Sequence, residues 1–209
     1  MARESPARMR QLREQIAQLA ARLVAEDGLD DWGLAKRKAA RALGLTDARC
    51  LPDNRELEAA LLEHQRIFDE EGQREHLHWL RSQTLDLMDL FEAFDPHVAG
   101  PVLSGAIGRH PTIHLHLFAE DPKSLEWFLL NEAIPYEASQ QRLHVAGQAR
   151  VLPCFLLNVD GTDVELLLFE RTDRRHPARL TPEGRALDRA GRNALVARMD
   201  AAVLPSDAP

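Results

Sequence analysis

At Thr112-Ile113-His114-Leu115-His116-Leu117-Phe118 the chain changes period, and that change decides the architecture. Ile113, Leu115 and Leu117 alternate with Thr112, His114, His116 and Phe118. A repeat of two sends successive side chains to opposite faces of a strand. Before residue 96 the apolar residues recur at helical spacing instead. Met9, Leu12, Ile16, Leu19 and Leu23 mark a first helix, with Ser5 as its cap, Pro6 at its first position and Gly28 at its end. A second helix runs from Asp31 to Gly44 on Leu34, Ala35, Ala39, Ala42 and Leu43. Asp53 and Glu56 are spaced as a capping box and open a third through Leu57, Leu61, His64 and Phe68. Leu77, Leu80, Thr84, Leu87, Met88 and Phe91 define a fourth from Glu75 to Phe94, stopped by Asp95-Pro96. Trp79 and Leu90 widen its apolar face.

Downstream of the strand at 112–118, Asp121-Pro122 opens a helix bearing Leu125, Phe128 and Leu129. Strands follow at about 135–145, 149–159 and 162–171, the last two joined by Asp160-Gly161, a tight hairpin turn. The polar, proline-bearing segment 171–185 reads as a surface loop, and a helix over about 193–202 closes the chain. The expected fold is α+β: a small mixed sheet of about four to five strands with packed helices, preceded by a helical region. The boundaries are 5–95 for the helical region and 96–203 for the α/β domain.

Hydrophobic residues make up 44% of the 209 and charged residues 28%, the balance of a globular chain that forms a core without metals or disulfides. The net charge of −7 disfavours nucleic-acid partners. Basic charge is almost wholly arginine, the lysines being Lys36, Lys38 and Lys123. Cys50 and Cys154 stand far apart in no motif, which suits a reducing cytoplasm. Cys154 lies in an apolar run and reads as a small buried hydrophobe. No stretch has the length of a membrane span or a signal-peptide core, so a cytoplasmic location with no membrane partner is expected.

Gly100-Pro101-Val102-Leu103-Ser104-Gly105, followed by Ala106 to Pro111 and then Thr112-Ile113-His114-Leu115, resembles the signature of the nucleotidyltransferase superfamily that includes DNA polymerase β. That signature is a Gly-Ser turn, a second glycine and a strand carrying Asp-x-Asp. The wider chain, including residues 27–45, is similar to a group of uncharacterised bacterial proteins described as nucleotidyltransferase-like. In the family, backbone N–H groups of the turn approach nucleotide phosphates. Two carboxylates at i and i+2, with a third from a neighbouring strand, hold two Mg²⁺ ions. The resemblance implies phosphate contacts at Gly100, Ser104 and Gly105, and places Thr112, His114 and Glu165 at the carboxylate positions. This chain departs there. Pro101 replaces the serine and removes a donor, one extra residue precedes the strand, and Thr112 and His114 stand where the Asp-x-Asp belongs. Neutral imidazole is a poor ligand for hard Mg²⁺. The reading is a degenerate nucleotidyltransferase-like protein without the usual transfer, retaining a nucleotide or another phosphate-bearing small molecule as partner. The alternative is a non-catalytic interaction scaffold or homodimer.

No cofactor is expected on this reading, and Mg²⁺ enters only if the fold is active. His110, His114 and His116 form an alternative Zn²⁺ set, weighed against ordinary half-buried or surface histidines on a sheet face. Asp163 and Glu165, with Asp160 nearby, suggest an acid/base pair or, more simply, protective charges on an edge strand. Lys36, Arg37, Lys38 and Arg41 read as a solvated helix face balanced by upstream acids. No P-loop, GxGxxG or G-x-S-x-G pattern is present.

Overall fold

The computed structural model describes residues 6–29, 31–45, 50–182 and 184–203. The expected cap at Ser5 lies outside them. The chain forms two compact units, one of residues 1–76 and 105–111, the other of 77–104 and 112–209.

The first unit contains α1 (Pro6–Ala25), α2 (Trp32–Ala42), α3 (Asn54–Phe68) and the start of α4 (Glu70–Leu90). Asp31 caps α2, its carboxylate accepting from the Leu34 N–H at 2.9 Å. Asp53 and Glu56 close the expected capping box on α3. Ile16, Ala20 and Val24 of α1 pack with Ala35 and Ala39 of α2 and Leu57 and Leu61 of α3. Small side chains on α1 and α2 allow close helix approach, and the larger aliphatic residues fill the remaining space. Residues 105–111 complete this core. Ala106 is buried in it, and Gln65 donates to the Ile107 carbonyl.

The second unit is built on a six-stranded mixed sheet in the order β3-β4-β5-β2-β1-β6. Its strands are β1 (His97–Ala99), β2 (Ile113–Ala119), β3 (Glu137–Val145), β4 (Gln148–Val159), β5 (Thr162–Glu170) and β6 (Arg189–Ala190). β2 is parallel to β5 and antiparallel to β1; β3, β4 and β5 form an antiparallel meander. Asp160 and Gly161 both have positive φ, 51° and 83°, as the two-residue turn between β4 and β5 requires. The rest of α4, α5 (Gly100–Ser104), α6 (Lys123–Asn131) and α7 (Arg192–Val203) complete the unit.

Ile113, Leu115 and Leu117 share one sheet face with Val164, Leu166 and Leu168, all buried. The opposite face carries His114, His116 and Phe118 beside Glu165, Leu167 and Phe169. Ala178 and Leu187 cover part of that second face, packing with Phe118, Leu143, Leu152, Cys154 and Phe169. The segment after β5 is therefore more than a surface loop. Its 3-10 turn, Arg171–Arg175, buries Asp173 against Arg150 of β4 at 2.8 Å. β5 also corrects the edge-strand reading of Asp163 and Glu165, because it lies inside the sheet between β4 and β2.

Candidate functional site

The parallel register sets His114 of β2 directly beside Glu165 of β5. The His114 Nδ1–H donates to Glu165 Oε1 at 3.1 Å, with the two side chains 31% and 21% exposed. This bond, more than the nearby charge, holds the Glu165 carboxyl below its ordinary range against the opposing effect of burial. On the other side of the ring, Gly100 has φ of 66°, and a Cβ there would lie 2.9 Å from His114 Cδ2. Glycine is thus required twice over, by the left-handed backbone and by the approach of the imidazole. His114 Nε2 makes no hydrogen bond to a described residue. With Nδ1 committed as donor, Nε2 accepts a proton or a hydrogen bond when the ring is neutral, and donates when the ring is charged.

Gly100 begins α5, and the far end of α5 is held by two arginines. Arg81 of α4, 7% exposed, donates through Nε to the Val102 carbonyl at 3.1 Å and through Nη2 to the Leu103 carbonyl at 3.3 Å. Arg198 of α7 donates to the same Leu103 oxygen at 3.0 Å. Neither arginine forms an ion pair with a described residue. Burial, and then the charge of Arg198, push the Arg81 guanidinium below its ordinary value. Two cations therefore meet at one short turn, compensated there by carbonyl dipoles.

The remaining expected residues are dispersed. Ser104 is half-buried and its hydroxyl donates to the Pro101 carbonyl at 3.4 Å. Gly105, with φ of 93°, and His110 belong to the first unit, where a Cβ on Gly28 would touch the His110 ring. Thr112 is half-buried immediately before β2. His116 is 4% exposed, its ring 4.9 Å from Phe169, and desolvation followed by Arg189, His114 and His97 lowers its pKa to about 3. It is a core imidazole, not a surface one. Cys154 is buried, and desolvation followed by the nearby Glu165 charge raises its thiol to about 12, which leaves it inert as a nucleophile.

A pair of Mg²⁺ ions does not fit this donor set. Of Thr112, His114 and Glu165, the positions expected from the resemblance, only Glu165 bears a carboxylate, and His114 engages it. Asp163, two residues away, is exposed and accepts from Asn158 at 2.8 Å. Among the described residues no group of three or more His, Cys, Asp or Glu is placed to hold a metal ion. No helix among them is long and apolar enough to cross a membrane. No family model, curated protein or solved structure matches the chain.

Arg81 and Arg198 do not appear among the residues expected from the sequence. A signal for Arg81 was present. It lies on the stripe Leu77, Thr84, Met88, and a charge inside an apolar stripe needs a buried partner. Arg198 carried no such mark.

Proposed function

We propose that this chain is a nucleotidyltransferase-like protein that binds a nucleotide or another phosphate-bearing small molecule and has lost metal-dependent nucleotidyl transfer. The observation that carries the reading is the His114–Glu165 bond at the family's metal position. A carboxylate already accepting from an imidazole, with a threonine and a histidine in place of the other two, lacks the anionic charge that hard divalent ions need. Retained binding is supported by the Gly100 turn and by the two arginines, without carboxylate partners among the described residues, at the far end of α5. The test is a thermal-shift series with nucleoside triphosphates and inorganic tripolyphosphate, with and without Mg²⁺, alongside an assay for transfer from α-labelled nucleotides. Ligand at a hundred times its dissociation constant is expected to raise Tm by roughly 5–10 °C, with no label transferred. Mg²⁺-dependent transfer, or no shift with any phosphate compound, overturns the reading.

A second reading, as an interaction or dimerisation scaffold, is favoured by one feature. Trp127 and Leu130, three residues apart on α6, are 62% and 57% exposed. It predicts concentration-dependent self-association in sedimentation equilibrium that Trp127→Glu abolishes.

A further inference from the structure

We infer that the outer edge of β3 is a homodimer surface: a second copy of the chain lays its own β3 there, antiparallel about a two-fold axis at Gln140, and the sheet continues from one copy into the other. This goes beyond the phosphate-binding reading and does not depend on it. It gives the self-association of the second reading a location other than Trp127 and Leu130.

β3 is the last strand on its side of the sheet. It pairs residue for residue with β4 from Glu137 to Val145, without a bulge. In an antiparallel ladder, alternate residues turn their N–H and C=O toward the same neighbour. His144 turns both away from β4. Its N–H donates to the Arg179 carbonyl at 2.8 Å, and its carbonyl accepts from the Arg179 N–H at 2.9 Å. Ala138, Gln140 and Arg142 share the parity of His144, so their backbone groups also point outward. Among the described residues, no backbone group bonds to them on that side. Residues 137–140 and 142 are exposed, and Gln141 is half-buried. Free edges are ordinarily blunted by lysine, proline or a bulge, and residues 137–143 contain none of these.

Register and charge select a second copy as the occupant. Arg179 closes the edge at His144, so the free stretch is 137–143 and Gln140 is its midpoint. Antiparallel pairing about that midpoint sets Gln140 against Gln140 of the second copy and Ala138 against Arg142 of the second copy. Every outward backbone group of the free edge is then used. No like charges meet, because Glu137 falls opposite Leu143 of the second copy. Tyr136, immediately before β3, lies on the same sheet face as Ala138. Its ring is 5.4 Å from Phe155, the residue with which Ala138 pairs. The Tyr136 hydroxyl donates to Glu126 Oε1 at 3.1 Å. Arg142 of the second copy, opposite Ala138, stands diagonal to Tyr136, which brings its guanidinium to the exposed Glu126. Within a single chain, Arg142 has no acidic partner among the described residues. The two-fold axis makes the Arg142–Glu126 contact twice and ends the assembly at two copies.

The experiment is sedimentation equilibrium of the whole chain, free of phosphate ligands, over a roughly hundredfold range of concentration, with residue-resolved amide hydrogen exchange on the same samples. The expected result is a reversible monomer–dimer equilibrium, with the amides of Ala138, Gln140 and Arg142 gaining protection as concentration rises. Gln140→Pro removes an N–H that faces solvent in the single chain, so the fold is kept and its thermal unfolding at low concentration should match wild type. Its dimer should be weaker by roughly tenfold or more, since the central pair of backbone hydrogen bonds is lost. Arg142→Glu should also weaken the dimer, and adding Glu126→Arg to it should restore association. A chain that stays monomeric throughout overturns the proposal, as does association that continues past the dimer. A dimer that Trp127→Glu abolishes, while Gln140→Pro leaves both its affinity and the exchange of the three amides unchanged, assigns the contact to α6 and overturns the β3 edge. None of these outcomes bears on the thermal shift with phosphate compounds, which tests the other reading separately.

Discussion

His116 is the residue whose environment most constrains its chemistry. It is 4% exposed, packs on Phe169, and its Nδ1 has no hydrogen-bond partner among the described residues. The folded pKa of about 3 lies below the unfolded value near 6.5, so the unfolded chain binds more protons between those limits. Stability is therefore fully present above about pH 6.5 and is lost as pH falls toward 3, by at most roughly 5 kcal/mol at about 1.4 kcal/mol per tenfold change in proton affinity. Glu165, with its depressed carboxyl, acts in the same direction at lower pH. Urea denaturation from pH 7.5 to 4.5 should show this loss in wild type, and a much shallower one in His116→Phe, which conserves a ring in an aromatic environment. An unchanged acid slope in the variant would assign the loss to other groups. Gly100 poses the complementary case of a residue chosen for what it lacks. Gly100→Ala should cost about 1–2 kcal/mol for the positive φ alone. It should also displace the His114 ring from Glu165, an effect visible as a change in the His114 ring resonances.

Among the elements, the 3-10 turn Arg171–Arg175 depends on one polar contact. Arg150 of β4 donates to both oxygens of buried Asp173, at 2.9 and 2.8 Å, and also pairs with Glu170. Arg150→Met would leave the Asp173 carboxylate buried without its cation, a change expected to destabilise by roughly 3 kcal/mol and to free the segment that covers the second sheet face. Hydrogen exchange should then rise over 171–187, and wild-type protection there would contradict the anchoring role. Much of this level was legible in advance. The helices announced themselves through caps and period, as at Asp31, Asp53 and Asp121, and the hairpin through Asp160-Gly161. β1 and β6 escaped because three and two residues are too few to display a period. They exist by pairing with distant residues, Val98 with Leu115 and with Ala190. The site divides in the same way. Gly100, His114 and Glu165 were singled out through the resemblance, whereas the His114–Glu165 contact depends on β5 entering the sheet beside β2, a register that local sequence does not encode.

For the molecule as a whole, segments far apart in sequence complete one another, and this has a consequence for the first unit. Its helices α1, α2 and α3 are continuous in the chain, yet their core includes Ala106, and Gln65, buried at 7% exposure, donates to the Ile107 carbonyl. Residues 105–111 reach this core only after the chain has passed through residues 77–104 of the second unit. A fragment of residues 1–76 would keep the periods of α1, α2 and α3 and the caps at Asp31 and Asp53. It would still expose the patch that Ala106 and Ile107 occupy and strand the Gln65 amide. Losing a buried hydrogen bond costs about 1–3 kcal/mol, and uncovering a fully buried aliphatic side chain costs about 1.5–3 kcal/mol. Together these approach the lower end of the stability of a small domain. The fragment should accordingly retain helical circular dichroism but melt broadly and well below the full chain, while Gln65→Leu in the full chain should lose only the hydrogen-bond share. A fragment that melts cooperatively at the full-length temperature would show that residues 105–111 lie on this core without supporting it.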